Sequence, residues 1–268
     1  ILSNKEEKLQ NGLSSLNRII RSKIEDKLVT FTYEDNYVRV LVAEFKYQYD
    51  FVIDPGHGGS NSGAANGVIE EKNMNLKQSL YEKCRYESMG YKVYMTRYDD
   101  TYGEMLGNKN INDLTRRALT IGYYGSVSRV AYSNHHNAVK NTSAKGFEIL
   151  VANDINEDNL KVNKELYNKF LNYYNLKEGR RIYSRDYDTG TIYDKTHNEI
   201  YSYTDYYAVI RIPHELFNIY VTIYEPIYIS NTQEFNWYWI NKKYIDIAEI
   251  KIETYVNYLG GVYNSDNS

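Results

Sequence analysis

Tyr49-Asp50-Phe51-Val52-Ile53-Asp54-Pro55-Gly56-His57-Gly58-Gly59 is the stretch that decides the fold. Its first half, Tyr49–Ile53, is a short apolar run and reads as a buried strand. Its second half is a proline- and glycine-bearing turn that sets an imidazole just past the strand's end. Downstream, strand and helix patterns keep alternating. Residues 70–89 carry a helical pattern ending near Gly90, and Tyr91–Thr96 reads as a strand. Residues 113–124 read as a helix with Asp113 and Thr115 as cap candidates. Ser128–Asn134 and Gly146–Val151 read as strands, and 157–176 as a helix. Residues 177–205 are polar and read as a long surface loop. Tyr207–Ile212 and Tyr220–Tyr224 read as strands, and Trp237–Leu259 as a final helix capped by Gly260–Gly261. This alternation predicts an α/β domain over 49–262, a three-layer α/β/α arrangement with a mostly parallel, twisted central sheet. In such sheets, sites form at strand ends.

The flanks differ in texture. Leu9, Leu13, Leu16, Ile20 and Ile24 recur at helical spacing, which predicts an amphipathic helix within residues 1–28. Val29–Tyr33 and Tyr37–Phe45 flank a polar Asp35–Asn36 turn and predict a hairpin. Residues 1–48 thus form a helix-plus-hairpin extension, and 263–268 a polar tail. The start lacks an initiator Met and the order of a signal peptide, so a processed product or a fragment is expected.

Composition narrows the functional classes. Hydrophobic residues are 42% and charged residues 25%, enough for a packed core. A net charge of −3 argues against a nucleic-acid partner or bulk attraction to anionic membrane. No apolar run approaches the ~18 residues of a membrane span. The 31 tyrosines fit either AT-rich codon usage or exposed rings that stack on sugars. Cys84 stands alone, which excludes an internal disulfide and every multi-cysteine zinc or iron–sulfur site. Any transition-metal site must draw on carboxylates and the five histidines.

Two strand ends present imidazoles: His57 after Tyr49–Ile53, and His135 with His136 after Ser128–Asn134. Glu70 and Glu71, at the start of the first long helix, are the natural carboxylate ligands, although acidic residues there also complement the helix dipole. Three protein ligands leave the fourth zinc position open to water, the pattern of a catalytic rather than a structural site.

At this point an ordered set of motifs resembles the zinc-dependent N-acetylmuramoyl-L-alanine amidases. Ile53-Asp54-Pro55-Gly56-His57-Gly58-Gly59 with Gly63-Ala64 resembles that family's opening motif. Glu71-Lys72 with Asn75-Leu76, Gly90-Tyr91-x-Val93 with Thr96-Arg97, and Leu114-Thr115-x-Arg117 follow in the family's order. Ser133-Asn134-His135-His136-Asn137-Ala138, then Gly146-Phe147-Glu148, then Glu225-Pro226-Ile227-Tyr228-Ile229-Ser230-Asn231 complete it. The resemblance implies zinc (Zn2+) held by His57, Glu71 and His135, with Glu225 as the catalytic carboxylate. Glu70 and His136 are the competing ligands. Asp54 is expected to orient His57 or cap the turn, and Asn137 to bind substrate or support the ligands. Arg97 and Arg117 are expected in ion pairs or on a substrate carboxylate.

The implied reaction is hydrolysis of the amide between N-acetylmuramic acid and L-alanine in peptidoglycan. The implied place of action is the bacterial cell wall, by a secreted wall enzyme or a phage-associated endolysin. Residues 1–48 are expected to pack on the domain, inhibit it or dock it to a larger assembly. Two alternatives are a zinc peptidase acting within the stem peptide and a non-catalytic wall-binding scaffold on the same fold. The chain departs from the family pattern at Asn61 (usually Asp), Gly122 (often Asn), Asn134 (usually apolar) and Pro226-Ile227. The stretch 177–224 is also longer than the family pattern.

Overall fold

A computed structural model describes residues 19–24, 27–34, 37–44, 47–67, 69–101, 112–174, 182–195 and 204–263. The described chain opens with β1 (Ile19–Ile24), β2 (Lys27–Glu34) and β3 (Tyr37–Glu44), a three-stranded antiparallel sheet. The expected hairpin is present, with Glu34 opposite Tyr37. The expected helix is corrected over its last part: Ile20 and Ile24 lie on β1, paired with β2. Residues 1–18 of that helical pattern lie outside the described residues.

The remaining elements are β4 (Tyr49–Pro55), β5 (Ala65–Asn66), β6 (Ile69–Glu70), α1 (Glu71–Ser88), β7 (Val93–Met95), α2 (Asp113–Gly125), β8 (Ser128–Asn134) and β9 (Glu148–Leu150). They continue with α3 (Glu157–Tyr174), β10 (Ile182–Arg185), β11 (Ile192–Asp194), α4 (Ala208–Phe217), β12 (Val221–Glu225), the short α5 (Thr232–Phe235), a π-helical turn (Asn236–Ile240) and α6 (Tyr244–Tyr258). The main sheet has the order β11-β10-β9-β12-β8-β4-β7. Its β7–β4–β8–β12 run is parallel, β9 runs against β12, and β11 runs against β10.

Side-chain alternation on β4 divides the helices into two layers. Phe51 and Ile53 join the core that α1, α3 and α6 cover. Val52, between them, packs with Ile121 of α2 on the opposite face. Phe51 stacks on Tyr86 of α1 with ring centroids 3.8 Å apart. A buried ion pair ties two helices of the first layer together: Lys251 Nζ lies 2.7 Å from Glu82 Oε1. The lysine also reaches Asn134 Oδ1 and sits against the rings of Tyr132 and Tyr224. Many tyrosines are therefore core residues with partnered hydroxyls: Tyr132 donates to Glu82, and Tyr224 donates to Asn163 at 2.8 Å.

Four further expectations are corrected. Ile182–Arg185 and Ile192–Asp194, read as loop, extend the sheet edge. Tyr207–Ile212, read as a strand, lies largely on α4, which buries Val209, Ile210, Pro213 and Phe217 on one side. The final helix is interrupted, because the π-helical turn ends at Ile240 and α6 starts only at Tyr244. The cap of α2 is Asn112, whose side chain accepts from Thr115 N–H. The Gly260–Gly261 end of α6 forms as read, with Gly261 N–H donating to Val256 C=O.

Candidate metal and catalytic site

Register builds the site. Pro55 of β4 is level with Asn134 of β8, and Asn134 with Tyr224 of β12. The residues that follow, His57, His135 and Glu225, therefore emerge at one end of the sheet. His135 N–H donates to Tyr224 C=O at 2.9 Å, fastening two of these ends together. The β5–β6 ribbon then brings the chain back so that α1 begins with Glu71 beside them.

His57, Glu71 and His135 present donor atoms that all lie within 4.8 Å of one another. Glu71 bridges the imidazoles: Oε2 is 3.2 Å from His57 Nε2, and Oε1 is 3.1 Å from His135 Nδ1. A tetrahedral ion with ~2 Å bonds separates its ligand atoms by about 3.3 Å, so this donor set fits zinc in spacing as well as in kind. Glu71 also accepts from the backbone N–H groups of Ala64 and His136. Burial pushes its carboxyl up, but hydrogen bonds from His135 and His57 outweigh this and hold it well below the usual carboxylate range. Burial pushes the His135 imidazole down, towards the neutral form a metal ligand needs.

The loop is shaped for close approach. A Cβ on Gly56 would lie 2.3 Å from the His135 ring, and one on Gly63 would lie 2.5 Å from Glu71 Oε2. His57 itself has φ +62°, a left-handed backbone uncommon outside glycine. Arg97 holds this strained turn by donating to the carbonyls of Pro55, Gly56, Lys72 and Asp99.

Of the competing ligands, Glu70 points away and pairs with Lys72 at 3.2 Å. His136 is buried against Tyr238, with Nδ1 2.7 Å from Asn75 Oδ1. Its imidazole is pushed down to about 3 by burial. Neither belongs to the cluster.

Two expectations about supporting residues are corrected, those for Asp54 and Arg97. Asp54 does not touch His57; it is fully buried and accepts from Thr96, Ser133 and both Nε and Nη2 of Arg117. Burial pushes its carboxyl up, but Arg117, Ser133 and Thr96 outweigh that and bring it to about 2. Arg117 in turn lies 3.3 Å from His135 Nε2. Arg97 is 1% exposed and spent on loop carbonyls, so it does not reach a substrate. Asn137 donates to Glu148 Oε2 at 2.6 Å and so supports the carboxylate level with Glu225.

Glu225 closes the strand next to the cluster. It is level with Glu148 of β9 and half-buried. Burial pushes its carboxyl well above the usual range, and the charges of Glu148 and Glu71 push in the same direction. Glu148 is held by Asn137, Tyr183 and Tyr228. Glu148 was legible only as part of a motif. The sequence marks Asn75 by a motif and Asp113 as a cap candidate, but their contacts with His136 and Asn61 were not legible in it.

A second grouping among the described residues, Asp154, Asp205 and His214, lies beyond the other end of β9. There burial raises Asp205 to about 7.

The class is thus an α/β domain with a His/Glu/His donor set and a further glutamic acid, Glu225, at the carboxyl ends of its parallel strands. The sequence profile of the family described as N-acetylmuramoyl-L-alanine amidase matches residues 51–253, and the chain belongs to that family. It is 33% identical over 103 residues to the N-acetylmuramoyl-L-alanine amidase AmiC of Neisseria meningitidis, covering 38% of this chain and 22% of that protein. It is 28% identical over 128 residues to the germination-specific N-acetylmuramoyl-L-alanine amidase of Bacillus subtilis, covering 40% and 53%. The chain thus spans about a fifth and about half of these relatives. In structure it resembles the CwlD amidase of Clostridioides difficile, solved with the GerS lipoprotein (TM-score 0.58, 23% identity, 80% of this chain and 99% of that one). It also resembles the catalytic domain of CwlV from Bacillus (Paenibacillus) polymyxa (TM-score 0.56, 19% identity, 80% and 100%). At these identities the two structures establish the shared fold.

Proposed function

We propose that this chain hydrolyses the amide between N-acetylmuramic acid and L-alanine in peptidoglycan, with zinc held by His57, Glu71 and His135. The observation that carries this reading is the convergence of those three donors, from three separate segments, beside the strand end that bears Glu225. Zinc bound by this set supplies Lewis acidity that lowers the pKa of water towards about 7 and polarises a carbonyl. The chain supplies the proton traffic. Glu225, in its carboxylate form, accepts a proton from the attacking water and passes it to the leaving amide nitrogen. Its raised affinity for protons suits the second half of that task, because an amide nitrogen leaves only once protonated. Glu148 maintains the effect by keeping a negative charge nearby. Arg117 holds the His135 ring from Nε2, which leaves Nδ1, the nitrogen nearest Glu71, to face the metal position.

This reading puts the site of action at the cell wall, with residues 1–48 there to pack on the domain, inhibit it or dock it to a larger assembly. Deleting them and measuring both wall activity and assembly separates these three roles. The catalytic proposal is tested by turbidity loss of purified walls. Activity is expected to vanish with chelator, return with zinc, and fall by at least a hundredfold in Glu225→Ala. Full activity in Glu225→Ala contradicts the assigned role.

A further inference from the structure

His57 is held by a relay that ends on a helix. Its Nδ1 lies 2.9 Å from Asn61 Oδ1, and Asn61 Nδ2 donates to Asp113 Oδ2 at 3.1 Å. The orientation of the Asn61 amide is fixed from both sides. Gly63 N–H approaches Oδ1 at 3.3 Å, and a backbone N–H can only donate. Asp113, as a carboxylate, can only accept, so it must face the amide NH2. The oxygen therefore faces His57, and His57 Nδ1 must carry a proton. That leaves Nε2, the nitrogen 3.2 Å from Glu71 in the donor cluster, as the atom that faces the metal position.

The geometry points to Asn61 and Asp113 as a matched positioning pair that sets the tautomer of His57 for metal binding. This inference rests on the assignment of His57 as a zinc ligand. A carboxylate usually plays such a part directly against a metal-bound histidine. Here the carboxylate stands one residue further out, on the first residue of α2, and an amide carries its polarity inward. The pairing explains why Asn rather than Asp fits at position 61: an aspartate there would accept from His57 and Gly63 but set two carboxylates about 3 Å apart. Asp113 belongs to the same unit because it orients the amide that touches the ligand.

The test compares full-length wild type with Asn61→Leu, Asn61→Asp, Asn61→Asp/Asp113→Asn and His57→Ala. Zinc affinity is read by competition with a chromophoric chelator, and folding by far-UV circular dichroism. Asn61→Leu is expected to weaken zinc binding roughly 10–100-fold. Asn61→Asp is expected to weaken it too, and Asn61→Asp/Asp113→Asn to recover most of the loss by restoring one acceptor and one donor. A merely structural role for either residue gives no such rescue. In the zinc-loaded wild type, proton NMR is expected to show a slowly exchanging imidazole N–H from His57 Nδ1, lost in Asn61→Leu. Zinc affinity within twofold of wild type in both single Asn61 variants, while His57→Ala binds weakly, overturns the relay but leaves the ligand assignment standing. Undiminished binding in His57→Ala overturns the assignment itself, and the relay with it.

Discussion

Asp54→Asn is the change from which the buried framework behind the site should lose most. Asp54 is wholly enclosed and takes two hydrogen bonds from Arg117 and one each from the hydroxyls of Thr96 and Ser133. Asparagine keeps the shape but removes the charge, leaving the buried Arg117 guanidinium uncompensated. Removing one partner of a buried pair costs about 3–5 kcal/mol. A second route gives a similar size. The carboxyl titrates near 3.8 in the unfolded chain and at about 2 in the folded one. That difference corresponds to about 2.4 kcal/mol of stability from the charge alone. For a domain of this size each kcal/mol shifts Tm by about 2–4 °C, so Tm should fall by roughly 6–20 °C. Because the folded-state value is depressed, the contribution is fully present above about pH 4 and is lost as pH falls through about 2. Thermal unfolding followed by circular dichroism, at one fixed zinc concentration, should show a gap between wild type and variant that is constant from pH 5 to pH 7 and narrows towards pH 2.5. Adding Arg117→Met should recover part of the loss by removing the stranded cation. A Tm within 2 °C of wild type at pH 7, or a gap that does not narrow in acid, refutes the reasoning.

Other changes probe the site directly. Glu148→Gln removes a negative neighbour of Glu225, so the acid limb of the pH–rate profile for wall hydrolysis should move to lower pH. Gly63→Ala forces a Cβ against Glu71 and His57 at φ +66°, a backbone that costs about 1–2 kcal/mol for an L-residue; zinc content measured by atomic absorption should fall. His135→Ala should abolish stoichiometric zinc, whereas His136→Ala should keep it and instead lower Tm, because His136 sits in the Asn75–Tyr238 packing.

The central fold was legible because each strand of the parallel run is a short apolar segment followed at once by a chemically distinct turn. Phe51, Val52 and Ile53 face two helical layers at once, and that requires an unbroken apolar run. The misread segments share a different cause. Tyr207–Ile212 is rich in β-branched and aromatic residues, and Pro213 reads as a terminator. Tertiary packing nevertheless buries Val209, Ile210, Pro213 and Phe217 together, which only a helix allows. Ile182–Arg185 looked like loop because its polar and aromatic surroundings hide a strand whose Ile182, Tyr183 and Ser184 are buried. The donor positions were legible from strand ends and motif order, whereas their supports were not. The partners of Asp54 come from elements 42 to 79 residues away in sequence, Asp113, behind Asn61, lies 52 residues from it, and no local pattern records those contacts. Asn134 shows the limit from the other side. In sequence it is a polar residue where an apolar one is usual, and in the fold it is matched by Ser79, Glu82 and Lys251.

The most direct measurement labels the new amino termini released from purified peptidoglycan and identifies the products by mass spectrometry. Cleavage of the proposed amide yields intact stem peptides with a free L-alanine amino group, together with glycan strands bearing unsubstituted muramic acid carboxyls. Wild type should give both, and Glu225→Ala neither. New termini within the stem peptide, with L-alanine still joined to muramic acid, would contradict the account.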